Sequence, residues 1–332
     1  MKINTLKEED IRPKVVFDEF LNLAKKDIKA YFATSLRTAI VCPACTSDGE
    51  QAFQKNEFDY ALCPECQTLF VSPRPAADAF NIYYTDAPSV KYWATTFYHA
   101  TAKARREKIW KPKAKLVYNV LKKYDALNHQ VIDIGGGYGI FAKEMELLTS
   151  MPVTVIEPNR HLANICRSSK LNVVEKFLES VRPDELPTKH KTFVSFELFE
   201  HLHDPSAFLK HLFKIMQPGD LFLFTTLSGT GVDIQVLWEN SKSISPPHHL
   251  NFFNPASVKI LLERLNFCEV VVTTPGKLDV DILCNNRELI RDRFWQNFTA
   301  QASESVKDQW QELITATGLS SHMMVICRVP NF

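Results

Sequence analysis

The sequence predicts an α/β fold, a doubly wound parallel sheet of seven strands behind a smaller N-terminal module. Three observations carry this expectation. From residue 131 onward, short apolar runs alternate with stretches of helical periodicity. The first run, QVIDIGGGYGIF (130–141), breaks at Gly135-Gly136-Gly137-Tyr138-Gly139, which holds four of the ten glycines in the chain. Ahead of the alternation stand two Cys-x-x-Cys pairs, in a stretch with no helical period.

At 332 residues the chain can bury a full core and carry an appended module. Its 39 basic and 38 acidic residues leave a formal charge of +1, so no global field draws it to a polyphosphate backbone and a nucleic-acid partner is not expected. The opening MKINTLKEEDIRPKVV is charged and lacks the apolar core of a signal peptide. No apolar run approaches the length of a membrane span. These features predict a cytoplasmic, reducing location without membrane attachment, where the eight cysteines would stay unpaired.

The elements divide the chain into four parts. Residues 1–38 hold an amphipathic helix over 14–32, with Phe17, Phe20, Leu21, Ala24, Ile28 and Tyr31 on one face. Residues 39–75 carry the cysteine pairs and short strand-like runs. Residues 76–109 open a helical connector with aromatic clusters, helical character continuing to about 126. Residues 110–332 hold the α/β pattern. Strands are expected at 131–135, 153–157, 172–175, 193–198, 221–227, 268–274 and 322–328, and helices at 139–149, 159–169, 204–216 and 255–265. Asp204-Pro205 and Asn254-Pro255 each pair an N-cap residue with proline at the first helical position. The long stretch 276–321 before the last strand reads as largely helical.

In an open α/β sheet, ligands sit beyond the carboxyl ends of the strands, where Gly135–Gly139 falls. A dinucleotide site wants G-x-G-x-x-G, and Ile140 occupies the place of its third glycine. Asp133, just before the glycines, suits a cationic ligand better than a pyrophosphate.

These residues resemble the first motif of the class I S-adenosylmethionine-dependent methyltransferases, which have a Rossmann-like sheet. Val131 to Gly139 matches its apolar pair, acid, apolar residue and G-x-G-x-G. In that family an acid ending the second strand holds the ribose hydroxyls, and Glu157 in VTVIEP has that place, 24 residues after Asp133 (157 − 133). FELFEHLHDP resembles the adenine-side segment, with Glu197 and Leu198 near the ring, and Pro218-Gly219-Asp220 resembles the turn before the fifth strand. The resemblance covers roughly residues 110–332. It implies that Asp133, Gly135, Gly137, Gly139, Glu157, Glu197 and Leu198 bind S-adenosylmethionine.

Cys42-Pro-Ala-Cys45 and Cys63-Pro-Glu-Cys66 are 17 residues apart, which fits a structural, four-thiolate zinc site in a zinc-ribbon-like module. Glycine often follows the second cysteine of such knuckles, whereas Thr46 and Gln67 stand here. Cys166, Cys268, Cys284 and Cys327 lie among apolar neighbours and read as small core residues.

The longest irregular stretch expected is 227–252, leaving the fifth strand. It carries His248-His249, similar to the E-H-L-x-Y-F segment of methyltransferases acting on nucleotide-linked sugars, whose histidine is proposed as a base. His249 matches that histidine, while His248 replaces the glutamate and Pro246 stands where tyrosine is often found. Both histidines are the catalytic candidates. Glu200 and His201 are expected to fix the end of the fourth strand, and His203 is not expected in catalysis. The four-cysteine front is also similar to those sugar enzymes, so Tyr83, Tyr84, Tyr92 and Trp93 could cover a substrate, although core packing explains each alone. The leading expectation is methyl transfer to a sugar or nucleotide-sugar. An RNA base methyltransferase with a zinc grip is an alternative, weakened by a knuckle region with Lys55 as its one lysine or arginine. A non-catalytic binding protein is another, disfavoured by the presence of both Asp133 and Glu157.

Overall fold

The computed structural model describes residues 6–330; the first five residues of the charged opening and the last two of the chain lie outside. In chain order its strands are β1 (Arg37–Thr38), β2 (Glu50–Lys55), β3 (Phe58–Leu62), β4 (Leu69–Val71) and β5 (Arg74–Pro75). Then come β6 (Gln130–Ile134), β7 (Thr154–Ile156), β8 (Asn172–Val174), β9 (Lys191–Phe196) and β10 (Leu221–Leu227). The last three are β11 (Asn251–Phe252), β12 (Cys268–Thr273) and β13 (His322–Arg328). The chain forms two compact units.

One unit comprises residues 104–226, 259–272 and 324–330 of the described chain, and it is built on the seven-stranded sheet in the order β12-β13-β10-β9-β6-β7-β8. From β10 to β8 the neighbours pair in parallel, as the alternation of strands and helices predicts, and the sheet as a whole is mixed. Every residue of β9 and β10 is buried, as strands covered on both faces require. All seven strands and the four helices Ile140–Thr149, Arg160–Ser168, Pro205–Ile215 and Pro255–Arg264 fall within two residues of their expected bounds. The N-cap at Asp204 is real, its side chain accepting from the Ala207 N–H (2.9 Å). In the turn before β10, Gly219 has φ +85° and buried Asp220 accepts from the Gln217 and Lys191 N–H groups. Strand order reverses at β6, between β7 and β9, which opens a crevice at their carboxyl ends.

The other unit comprises residues 6–103, 227–258 and 273–323 of the described chain, so two stretches that the sequence pattern groups with the sheet cluster with the cysteine-bearing front. The helix Lys14–Phe32 buries Phe17, Phe20, Ala24 and Ile28 as its period predicts, with Leu21 and Tyr31 half-buried. Strands β2, β3 and β4 form a meander, and β11 extends it to β11-β4-β3-β2, with Asn251 opposite Phe70 and Phe252 opposite Leu69. Phe32, Phe58, Tyr60 and Phe252 fill the core beneath this sheet. The expected irregular stretch 227–252 is therefore more ordered than its composition suggests. It contains the helix Val232–Leu237, a 3₁₀ turn at Trp238–Asn240 and β11. The long segment before β13 is helical, with helices Asp279–Asn285, Arg293–Gln301 and Glu304–Ala316.

Candidate active site

The glycine turn after β6 divides its labour. Gly135, Gly137 and Gly139 all have left-handed φ, +70°, +56° and +68°, which glycine adopts without strain. A Cβ on Gly136 would sit 2.7 Å from Val155, and one on Gly139 would sit 2.5 Å from Leu171. On Gly135 it would press on Leu198 at 3.1 Å. On Gly137 it would meet nothing within 4 Å. Three glycines therefore let the turn pack, and Gly137 borders open space.

Two buried carboxylates lie beside this turn, Glu157 at Gly137 and Asp133 at Gly136. Glu157 is 6% exposed; its Oε2 accepts from the Gly137 N–H and its Oε1 from the Asn159 N–H, both at 2.9 Å. Asp133 is 2% exposed, and its Oδ2 has no hydrogen-bond partner among the described residues. Burial, and then the neighbouring Glu157 charge, push the Asp133 carboxyl up to about 7. Burial also raises Glu157, opposed by its two backbone N–H donors. A buried acceptor left unsatisfied is one that a cationic ligand would complete.

The end of β9 adds a polar cluster. Glu197, at φ +52°, accepts from the Lys113 ammonium (3.1 Å) and the Thr225 hydroxyl (2.8 Å). Leu198 is the residue against Gly135. Glu200 is 1% exposed and accepts from the Thr226 hydroxyl (2.8 Å), tying the end of β9 to β10 as expected. Burial and then the Glu197 charge raise it to about 8. Lys113 was missed from sequence. It is buried, with its ammonium 4.7 Å from the Phe196 ring centre. Its signal was periodicity, because it shares a helical face with Val117, Val120 and Leu121.

The four front cysteines converge, their sulfurs all within 4.8 Å of one another. Cys42 and Cys66 are 3.5 Å apart and Cys45 and Cys63 are 3.4 Å apart. A tetrahedral zinc with bonds of about 2.3 Å separates its sulfurs by about 3.8 Å, so the set fits. The two knuckles fold alike. The Thr46 N–H donates to the Cys42 carbonyl and the Gln67 N–H to the Cys63 carbonyl, each at 2.9 Å. Thr46 and Gln67 take left-handed φ of +68° and +57°, the conformation glycine would supply in their places. Of the other cysteines Cys166 and Cys327 are buried as expected, whereas Cys268 and Cys284 are only partly so, and no disulfide forms among the described residues.

The two candidate histidines differ. His248 is 9% exposed, its Nε2 is 2.8 Å from the Tyr83 hydroxyl, and its ring lies against Phe20, Tyr83 and Tyr84. His249 is half-buried with Nδ1 2.6 Å from the Ser243 carbonyl, which can only accept. In the neutral ring Nδ1 therefore carries the proton and Nε2 the lone pair. The Tyr60 hydroxyl donates to the His249 carbonyl (2.8 Å), and Asn254 Nδ2 donates to the Cys66 carbonyl (2.7 Å). Asn254 also caps its helix through the Ala256 and Ser257 N–H groups. Buried Arg74, another residue missed from sequence, donates to the Asn251 side chain (2.8 Å). Of the aromatics expected as a cover, Tyr83 is a core residue, whereas Tyr84, Tyr92 and Trp93 are half-buried against the core. Tyr83 is fully buried beside Phe32, and Trp93 stacks on Phe97 at 4.1 Å with Tyr92 in the same cluster.

The sheet order and the acid-flanked glycine turn define the class I S-adenosylmethionine-dependent methyltransferase domain. The chain belongs to the family described as "Methyltransferase domain", which matches residues 101–271. It is 25% identical over 146 residues to a ubiquinone biosynthesis O-methyltransferase of Xanthomonas euvesicatoria pv. vesicatoria (strain 85-10), covering 41% of this chain and 61% of that one. It is 26% identical over 116 residues to the protein of the same name from Vibrio atlanticus (strain LGP32), covering 33% and 48%. The chain thus spans about half to about three fifths of the length of these curated relatives. A solved structure, a SAM-dependent methyltransferase from Archaeoglobus fulgidus, aligns with 20% identity and a TM-score of 0.41 over 65% of this chain and 94% of that one. No helix among the described residues is long and apolar enough to cross a membrane.

Proposed function

We propose that this chain transfers a methyl group from S-adenosylmethionine to a small-molecule acceptor of the sugar or nucleotide-sugar class, with a structural zinc in its front module. The observations that carry the donor site are the open space beside Gly137, the Glu157 carboxylate oriented by the Gly137 N–H, and the buried, unsatisfied Asp133 Oδ2 of the same strand–turn unit. Glu157 would hold the ribose diol, since each of its oxygens keeps a lone pair beyond its one backbone donor. Asp133 and the open side of Gly137 would receive the methionine end, with Leu198 and Glu197 on the adenine side. Bound there, the sulfonium supplies a methyl already activated for in-line displacement.

His249 is the general base of this proposal. Its Nε2 lone pair takes the proton of the attacking hydroxyl as the oxygen–methyl bond forms, and the imidazolium then releases that proton to water. Ser243 fixes its tautomer, while Tyr60 and the β4–β11 pairing hold its backbone. His248, bound to Tyr83 in an aromatic core, is assigned to shaping the segment rather than to proton transfer. The closed four-sulfur shell supports a structural metal, and a cytoplasmic location would keep those thiols reduced.

Incubation with methyl-labelled donor and three acceptor pools, nucleotide sugars, phenolic precursors and total RNA, tests this function. Label in the nucleotide-sugar pool is the expected result. Label confined to phenols or RNA overturns the acceptor class, and absence of transfer to any pool counts against the activity.

A further inference from the structure

The unit that carries His249 has a second concavity, which the methyl-transfer proposal does not use. It lies between the Lys14–Phe32 helix, the β2–β3 turn and residues 242–246, with a volume of about 230 Å³. Lys25, Lys55 and Lys242 line it together with Asn22, Asn56 and Ser245, and no carboxylate does among the described residues. At that size, below the roughly 300–1,000 Å³ of whole-ligand pockets, it suits one group of a larger molecule.

The charge around it is unbalanced. Lys242 reaches Asp18 at 3.1 Å, but Asp18 also serves Lys14 at 2.8 Å. The Lys55 ammonium donates to the Ser241 carbonyl (2.7 Å), a neutral acceptor. Glu239 acts on Lys55 through space, yet its carboxylate is bonded to Arg291 (2.9 Å). Each ammonium has three donors, so further hydrogen bonds can be directed into the cavity. Burial pulls Lys55 down to about 8, a cost that an anion beside it would relieve.

The cavity wall is continuous with the histidine segment. The Ser245 carbonyl accepts from the N–H groups of both His248 and His249, each at 3.0 Å. We infer that this cavity binds the phosphate or diphosphate of the acceptor through Lys55, Lys242 and Lys25, an inference that rests on the acceptor class proposed above. Such a contact would seat the anionic end of the acceptor against the Ser245 segment, whose carbonyl holds the His249 N–H. The half-buried Lys55 and Lys242 and the near-neutral chain favour a small phosphorylated molecule over a nucleic acid.

Titration calorimetry of the full chain at low salt, with pyrophosphate, uridine diphosphate, inorganic phosphate and a short RNA as separate probes, tests the inference. Saturable binding of uridine diphosphate and pyrophosphate at one site per chain is expected, with inorganic phosphate weaker. Lys55→Gln and Lys242→Gln should each weaken it about tenfold or more, while exposed Lys277→Gln leaves it unchanged. At about pH 8 the heat should vary with buffer ionisation enthalpy, because Lys55 takes up a proton on binding. Equal binding by wild type and both folded variants overturns the inference. So does a preference for RNA, for inorganic phosphate over the diphosphates, or no binding at all. S-adenosylmethionine titrated into the same samples keeps this failure distinct from failure of the donor site.

Discussion

The glycine crevice and the histidine-bearing segment are built in opposite ways. The crevice comes from residues close in sequence, Asp133 to Glu157, placed by adjacent parallel strands. It leaves Asp133 Oδ2 unsatisfied and Gly137 facing open space. The segment around His249 is assembled from distant pieces. Tyr60 reaches His249 across 189 positions, Asn254 reaches Cys66 across 188, and Asn251 pairs with Phe70. Its polar groups are engaged, down to the Nδ1 of the proposed base. The difference separates a place that waits for a ligand from a frame that positions one group.

That contrast can be broken first at the metal. The frame hangs on the cysteine module, so removing zinc should act on it and spare the crevice. We expect about one zinc per chain by elemental analysis, and chelation or Cys42→Ser should expose residues 39–75 to proteolysis. Structural zinc contributes roughly 10–16 kcal/mol in small modules, so the effect should be large. Retained S-adenosylmethionine binding in the chelated protein would show the two regions to be separable.

The next largest effect belongs to His249. His249→Ala should lower turnover by roughly 10²–10⁴-fold with donor affinity unchanged. His248→Ala should act instead on stability, because it empties a site packed by Phe20 and Tyr83. Thermal melting and single-turnover rates on the two variants distinguish these outcomes.

Within the crevice, two glycines sharpen the comparison. Gly139→Ala forces a Cβ to 2.5 Å from Leu171 at φ +68° and should cost roughly 2–5 kcal/mol of stability. Gly137→Ala carries only the backbone strain, about 1–2 kcal/mol, but fills the donor space. Denaturation should single out Gly139→Ala, and donor titration should fail for Gly137→Ala in folded protein.

A further contrast lies in pH dependence. The folded Asp133 carboxyl, raised to about 7, holds a proton that the unfolded chain loses near pH 4. Stability should therefore fall as pH rises from about 4 to 7 and level off above. A cationic donor favours the ionised form, so its affinity should rise with pH up to about 7. Asp133→Asn should flatten both profiles.

The sheet was readable because its strands are short apolar runs that alternate with helices, with glycine closing β6 at Gly135 and a clear helix cap at Asp204. The cysteine convergence was readable from spacing alone. The left-handed turns at Thr46 and Gln67 run against residue preference and became visible only in the fold. Residues 227–252 looked irregular because β11 is two residues long and gains its strand character from pairing with β4. Lys113 and Arg74 stayed hidden for a related reason, since their partners at Glu197 and Asn251 are remote in sequence.

The central claim is that Glu157 and the Gly137 gap form the donor site. Calorimetric titration of S-adenosylmethionine into wild type and Glu157→Ala tests it most directly. The account predicts a loss of roughly 1.5–3 kcal/mol in binding free energy for a variant that melts as wild type does, the scale of hydrogen bonds to a charged group. Unchanged affinity in folded Glu157→Ala would contradict it and place the ribose elsewhere.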